Sequence, residues 1–196
     1  MRGSTVTDTL GRMAALVVPD VTLKDSFLAA MAEFAAEGRT GDGSGIGRDL
    51  EDWTGRWETD AGFAAYVAQR VGERDHVDDP DWVLCTNLWW VDDQGYVGRM
   101  SIRHELNEWL REVGGHIGYD VRASRRREGH ATAMLAAALP IARDLGIDRA
   151  LLTCDDDNVA SRLVIERNGG VFEDARGGKL RFWVPTDHSA APGGTS

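Results

Sequence analysis

Hydrophobic residues recur along this chain at two periods, and the switches between them mark its elements. Leu16-Val17-Val18-Pro19 reads as a short strand stopped by proline. Between Lys24 and Gly38, Phe27, Met31 and Phe34 return at helical spacing, and Gly38 is placed to end that helix. The run RTGDGSGIG, Arg39 to Gly47, reads as a flexible loop. A less regular helical region follows with Trp53, Trp57, Phe63 and Tyr66, aromatics suited to a core or a pocket wall.

From Trp82 the period drops to two. WVLCTNLWWVDD and QGYVGRMSIRH, joined through Asp92-Asp93-Gln94-Gly95, predict a β-hairpin, HELNEWLREVGG reads as a loop, and GGHIGYDVRA predicts a third strand. The helical period returns from Gly129 to Leu145, with Met134, Leu135, Ala138, Leu139 and Ile141 as the apolar stripe, Pro140 inside it and Gly146 at its end. RALLTC then reads as a buried strand, NVASRLVIERNGG as a short helix, and GVFED with KLRFWVP as a closing hairpin. The order predicts one mixed α/β domain of about seven strands over residues 16–186. Residues 1–15 and 187–196 are small and polar and are expected to be flexible.

A chain of 196 residues with 42% hydrophobic content can bury one real core. No apolar run approaches the roughly 18 residues of a membrane span, and the N-terminus lacks the order of a secretory signal. A cytoplasmic protein with no membrane partner is expected. The formal net charge of −10 disfavours nucleic acid, which needs a basic stripe, and suits a cationic partner such as an amine. Cys85 and Cys154 stand in no C-x-x-C pair and beside no histidine at ligand spacing, so free thiols and no metal are expected.

The chemistry concentrates in Val121 to Thr132, where a strand passes through a short loop into the first turn of a helix. Unpartnered amides at a helix N-terminus form an anion cradle; Gly129 permits close backbone approach, and Ala131 keeps the face shallow. A pyrophosphate suits it. Neither a P-loop nor a G-x-G-x-x-G is present.

Arg126-Arg127-Glu128-Gly129-His130-Ala131 fits the signature [QR]-x-x-G-x-[GA], and Thr153 to Ser161, TCDDDNVAS, follows in order and spacing. On these residues, and over roughly Leu84 to Val184, the chain resembles the GCN5-related N-acetyltransferases. The resemblance implies the fold of that family: a mostly antiparallel sheet with flanking helices, whose fourth and fifth strands, here His116 to Arg122 and Arg149 to Cys154, splay apart. It implies acetyl-CoA as cosubstrate and no metal. The backbone of Arg126, Arg127, Glu128, Gly129, His130, Ala131 and Thr132 would hold the pyrophosphate, and Tyr119 and Val121 would offer strand amides to the pantetheine arm and thioester. Asn158 would contact that arm.

The resemblance further implies direct attack by an amine in a ternary complex; it names a reaction and not a substrate, and the acceptor expected first is a primary amine of a small molecule. The tyrosine that often protonates the leaving thiolate is replaced here by Ile165, which leaves Ser161 or a water as the acid. His116, on the splayed strand itself, and His104, followed by Glu105, are the expected bases, since histidine titrates near neutral pH. Trp53, Trp57, Trp89, Trp90 and Trp109 are expected to wall the acceptor pocket, and the insertions at 41–60 and 107–114 to cover it. Two other readings stand beside this one: a protein or peptide amine as acceptor, and a non-catalytic CoA-binding sensor, prompted by Ile165. A homodimer is left open.

Overall fold

The computed structural model describes residues 5–7, 13–41 and 45–187, the side chains from Met13 onward. Its elements are β1 (Thr5–Thr7), β2 (Met13–Val17), α1 (Lys24–Ala36), α2 (Gly45–Trp53), α3 (Asp60–Gly72), β3 (Cys85–Asp92), β4 (Gly95–Arg103), β5 (Ile117–Val121), α4 (His130–Asp144), β6 (Arg149–Asp155), α5 (Val159–Arg167), β7 (Val171–Arg176) and β8 (Lys179–Pro185). The strands form an antiparallel sheet ordered β1-β2-β3-β4-β5 and a second ordered β6-β8-β7. This is the mixed α/β fold expected, with one more strand among the described residues. Strand β1 and Met13 to Ala15 precede the domain start expected at Leu16 and join the sheet. The fourth and fifth strands of the expected fold are therefore β5 and β6. Residues 188–196, expected to be flexible, lie outside the described residues. Among the described residues, no helix is long and apolar enough to cross a membrane.

Two segments expected to be loops are ordered. Helix α2 opens at Gly45, inside the glycine-rich run, because Gly47 packs where a side chain has no room: a Cβ there would lie 1.5 Å from the Thr40 carbonyl oxygen. Leu110–Gly114, within the segment read as the loop HELNEWLREVGG, forms one π-helical turn.

The first sheet has a core on each face. Alternation sends Trp89 and Trp90 to opposite sides. Trp90 packs with Met100, Ile102 and the apolar stripe of α4. Trp89 joins Tyr96, Phe27, Trp57, Phe63 and Tyr66 beneath α1 and α3, its ring centroid 5.1 Å from that of Phe27. Trp53, Trp57, Trp89 and Trp90 are thus core residues and do not wall an acceptor pocket; of the five tryptophans proposed for that role, Trp109 alone lines the cleft described below.

One charged group is built into this second core. Asp49 of α2 is buried and takes a hydrogen bond from the Tyr66 hydroxyl at 2.8 Å and one from Arg99 Nη1 at 2.7 Å, with Arg70 at 3.7 Å. Burial works against the Arg99 charge, but Asp49 and Asp120 hold the guanidinium above its ordinary pKa. The pair fixes α2 and α3 over β4. Removing one partner of a buried pair leaves the other charge uncompensated. Asp49→Ala should therefore cost about 3–5 kcal/mol in urea unfolding, and Tyr66→Phe, which loses one neutral donor, about 1 kcal/mol. Equal small losses would show that the network is not coupled.

Candidate active site

No ladder joins β5 to β6, so the two sheets part there. At the closed end the His116 N–H donates to the Leu151 carbonyl at 2.7 Å, and the Leu151 N–H donates to His116 Nδ1 at 2.9 Å. Beyond that point strand alternation fixes which groups stay open. The Arg122 N–H pairs with the Val97 carbonyl on β4 at 3.0 Å, so the amides of Tyr119 and Val121 turn to the gap.

Neither histidine expected as a base stands in the gap. His116 Nδ1 is already an acceptor for Leu151, and burial, helped by Arg111 and Arg103, pushes its imidazole down to about 4. His104 Nε2 lies 2.8 Å from Thr86 Oγ1, and burial lowers its pKa as well. Neither lines the cavities on either side of the splay.

On the α4 side, a cavity of about 450 Å³ runs past Val121, Gly129, Ala131, Thr132, Asn158 and Ser161. Gly129 is the N-cap of α4 with φ 88°, and no side chain caps the helix. Arg127 also has positive φ, at 66°, and backbone of alternating hand turns successive amides towards one point. The neighbouring side chains are committed elsewhere. Arg126 donates to the Val121 carbonyl at 3.0 Å and makes a two-pronged pair with Glu37, the C-cap of α1, which holds the Glu37 carboxyl below its usual range. Glu33, one helical turn earlier, accepts from Arg122 and from the Ser124 amide at 2.9 Å. The His130 ring is buried, taking a hydrogen bond from Trp90 Nε1 at 3.1 Å, with its Nε2 3.3 Å from Glu128. Glu128 pairs with Arg125, which also reaches Asp92 at 2.6 Å. Of the residues expected to hold a pyrophosphate, Arg126, Arg127, Gly129, His130, Ala131 and Thr132 line the cavity and Glu128 does not; the side chains of Arg126, Glu128 and His130 also brace its loop. Glu33, Glu37 and Arg125 were not foreseen, because the local sequence gives no sign of which carboxylate an arginine will pair with.

A second cavity, of about 200 Å³, opens on the opposite face of the splay beside Arg48, Arg99, Ser101, Arg103, Trp109 and Gly118. Arg39, Tyr119, Asp120, Asn158 and Ser161 line both cavities, so the two meet there. At that junction the Tyr119 hydroxyl lies 2.8 Å from Ser161 Oγ. Asn158 Oδ1 accepts from the Ser161 N–H at 3.0 Å, which caps α5 and fixes the serine. Burial raises the Tyr119 phenol to about 12. Ile165, at the position of the absent tyrosine, is fully buried. Tyr119 was expected to contribute only its amide; its hydroxyl also reaches Ser161 on α5.

A family model described as an acetyltransferase (GNAT) domain matches residues 43–171. No curated protein matches the sequence. Among solved structures the chain is similar to Mycobacterium smegmatis RimJ in complex with CoA-disulfide, at 17% identity and a TM-score of 0.69, covering 96% of this chain and 89% of that one. It is also similar to the ribosomal-protein-S5-alanine acetyltransferase of Vibrio fischeri, at 14% identity and a TM-score of 0.62 over 89% and 94%. The microcin C7 self-immunity acetyltransferase MccE, in complex with acetyl-CoA and AMP, gives 13% identity and a TM-score of 0.58 over 88% and 92%.

The state of His116 has a measurable signature. Its folded pKa, about 4, lies below the ordinary value of 6.5, so between those values the unfolded chain binds more protons. Its contribution to stability is full above pH 6.5 and is lost progressively as the pH falls towards 4. His116→Asn, which retains an acceptor for Leu151, should bring the urea midpoints at pH 5 and pH 7 closer together than in the parent. An unchanged difference would mean that His116 titrates as a solvated histidine.

Proposed function

The chain belongs to the acetyltransferase (GNAT) family and is an acetyl-CoA-dependent acetyltransferase, and we propose that it acetylates the primary amine of a small molecule by direct attack in a ternary complex. The observation that carries this reading is the meeting of two cavities, from opposite faces of the splayed sheet, at Tyr119 and Ser161. One suits a long, phosphate-bearing cosubstrate and the other a compact acceptor. The residues fit acetyl-CoA: the α4 N-terminus is uncapped, Gly129 is left-handed, and the open β5 edge leads from that cradle towards the junction.

Acetyl-CoA supplies a thioester with an electrophilic carbonyl carbon and a thiolate leaving group. In this reading the amides of Arg127, Gly129, Ala131 and Thr132 bind the pyrophosphate, and the Val121 amide extends the sheet to the pantetheine arm. The Tyr119 amide points at the carbonyl oxygen, where charge develops. As the amine nitrogen bonds to the carbonyl carbon and the carbon–sulfur bond breaks, the Tyr119 hydroxyl, oriented by Ser161, gives its proton to sulfur. A phenol raised to about 12 is protonated throughout the neutral range and is available as that donor. The proton shed by the amine passes to solvent through the open cleft, and the Tyr119 phenolate is reprotonated from there.

A peptide N-terminus is the second reading, favoured by relatives such as the S5-alanine acetyltransferase. A cavity of about 200 Å³, bordered by Gly45 and Arg48 of α2 and by Trp109, Val113 and Gly114 of the π-turn region, favours a small acceptor instead. Release of CoA thiol, followed with a panel of small primary amines and of short peptides, decides between them; faster turnover of peptides throughout would overturn the small-molecule assignment.

Tyr119→Phe and Ser161→Ala should each lower kcat by roughly 10²-fold or more, with acetyl-CoA affinity nearly unchanged and the double variant little worse than either single one. Gly129→Val puts a β-branched residue at φ 88° and fills the approach to the cradle. It should abolish acetyl-CoA binding in calorimetry while the circular dichroism spectrum is retained.

A further inference from the structure

The acceptor cavity is basic although the chain as a whole carries a formal charge of −10. Strand alternation lays Arg99, Ser101 and Arg103 along one face of β4, and all three line the cavity. Most of its charges are matched within the protein. Lys179 pairs with Asp155, while Arg39 and Arg99 share Asp120, and Arg99 also holds Asp49. Two guanidiniums remain. Among the described residues, neither Arg48 nor Arg103 makes an ion pair. Arg103 Nη1 donates only to the carbonyls of Gly114 and Gly115, at 3.0 and 3.1 Å, and Arg48 lies over the Trp82 ring, 5.5 Å from its centroid.

A half-buried guanidinium beside two others, with no carboxylate of its own, is an arrangement that an incoming anion relieves. Burial, together with Arg99 and Arg48, lowers the Arg103 pKa, although the neighbouring Cys85 opposes the shift. The carboxylates nearest to this region are already engaged. Asp49 is taken by Arg99 and Arg70, and Glu73 by Arg70 at 2.8 Å. Asp52, exposed on α2, borders only the adjoining cavity.

We propose that the acceptor amine also carries an anionic group, a carboxylate or a phosphate, and that Arg48 and Arg103 form the subsite that receives it. This deepens the acetyl-transfer reading and rests on it. The spacing is short. A Cβ on Gly118 would lie 3.7 Å from both Nη1 and Nη2 of Arg103, and the next residue on the strand is Tyr119. One strand step is about 3.3 Å, so the anion and the attacking nitrogen are separated by only a few bonds. The substrate class is a compact amine-acid, with Gly118 leaving the floor open between the two ends.

The test compares matched acceptors: glycine with glycinamide, β-alanine with β-alaninamide, and O-phosphoethanolamine with ethanolamine. The charged member of at least one pair should be favoured about tenfold or more in kcat/KM, chiefly through KM, and the pair showing it tells carboxylate from phosphate. Arg48→Gln and Arg103→Gln should each erase most of that preference without changing acetyl-CoA affinity. Arg48 is exposed, so its variant keeps the test independent of any folding defect from losing the Arg103 bonds to the Gly114 and Gly115 carbonyls. In parallel, acetate and inorganic phosphate are titrated onto the CoA-bound protein while the arginine Nε–H resonances are observed. Saturable shifts assigned to Arg48 and Arg103 support the subsite even if no amine is turned over, in which case the small-molecule transfer reading is what fails. Equal use of charged and neutral acceptors, or no shift with either anion, overturns the subsite.

Discussion

Two hydrogen bonds between His116 and Leu151 hold β5 and β6 together at one end, and no ladder joins them further along. Strand amides in a protein interior are normally paired, and leaving one unpaired costs about 1–3 kcal/mol. A sheet that opens must therefore be fixed firmly at its closed end, or it would either zip shut or slide. A slip of one residue would also turn Tyr119 to the other face of the sheet, away from Ser161. The histidine expected to take a proton thus serves as a fastening, and the gap that it fixes is where the phenol, the serine and both cavities converge.

The same economy governs the charges. Glu33 in the last turn of α1 and Glu37 at its C-cap hold Arg122 and Arg126 and so steady the loop that enters α4. Asp49, Asp92 and Asp120 take up Arg99, Arg125 and Arg39 in the same way. With so many carboxylates occupied on structural arginines, the sum over the sequence describes the outer surface and not the cleft. Two guanidiniums left over are enough to reverse the local sign.

Much of this was legible in the sequence from Trp82 onward, because alternation and helical periodicity are local properties of the chain. The turn that enters α4 was legible for a related reason: Gly129 encodes a backbone hand at one position. What was not legible depended on tertiary contact. The start of α2 hinges on Gly47 passing close to the Thr40 carbonyl, which resembles any glycine-rich loop when read along the chain. Trp89 and Trp90 are adjacent letters but face opposite cores. Arg125 and Arg126 are identical in type and adjacent, yet one takes Asp92 and Glu128 and the other Glu37. The acid invited a search around Ile165 on the helix, yet the hydroxyl that reaches Ser161 comes from a strand much earlier in the sequence.

The open wedge has one more effect, on how long the folded chain persists. The second sheet is built from a continuous stretch, 149–185, and it leans on the first through His116, Leu151 and the packing of α4. A molecule that pairs with the exposed edge binds the folded chain and not the unfolded one. At a hundred times its dissociation constant it adds about 2.7 kcal/mol, a roughly hundredfold fall in the unfolded fraction. When that molecule becomes scarce, the unfolded population rises and with it exposure to proteolysis. A wedge that binds a molecule at its open edge is thus also a place where occupancy would add to the stability of the fold.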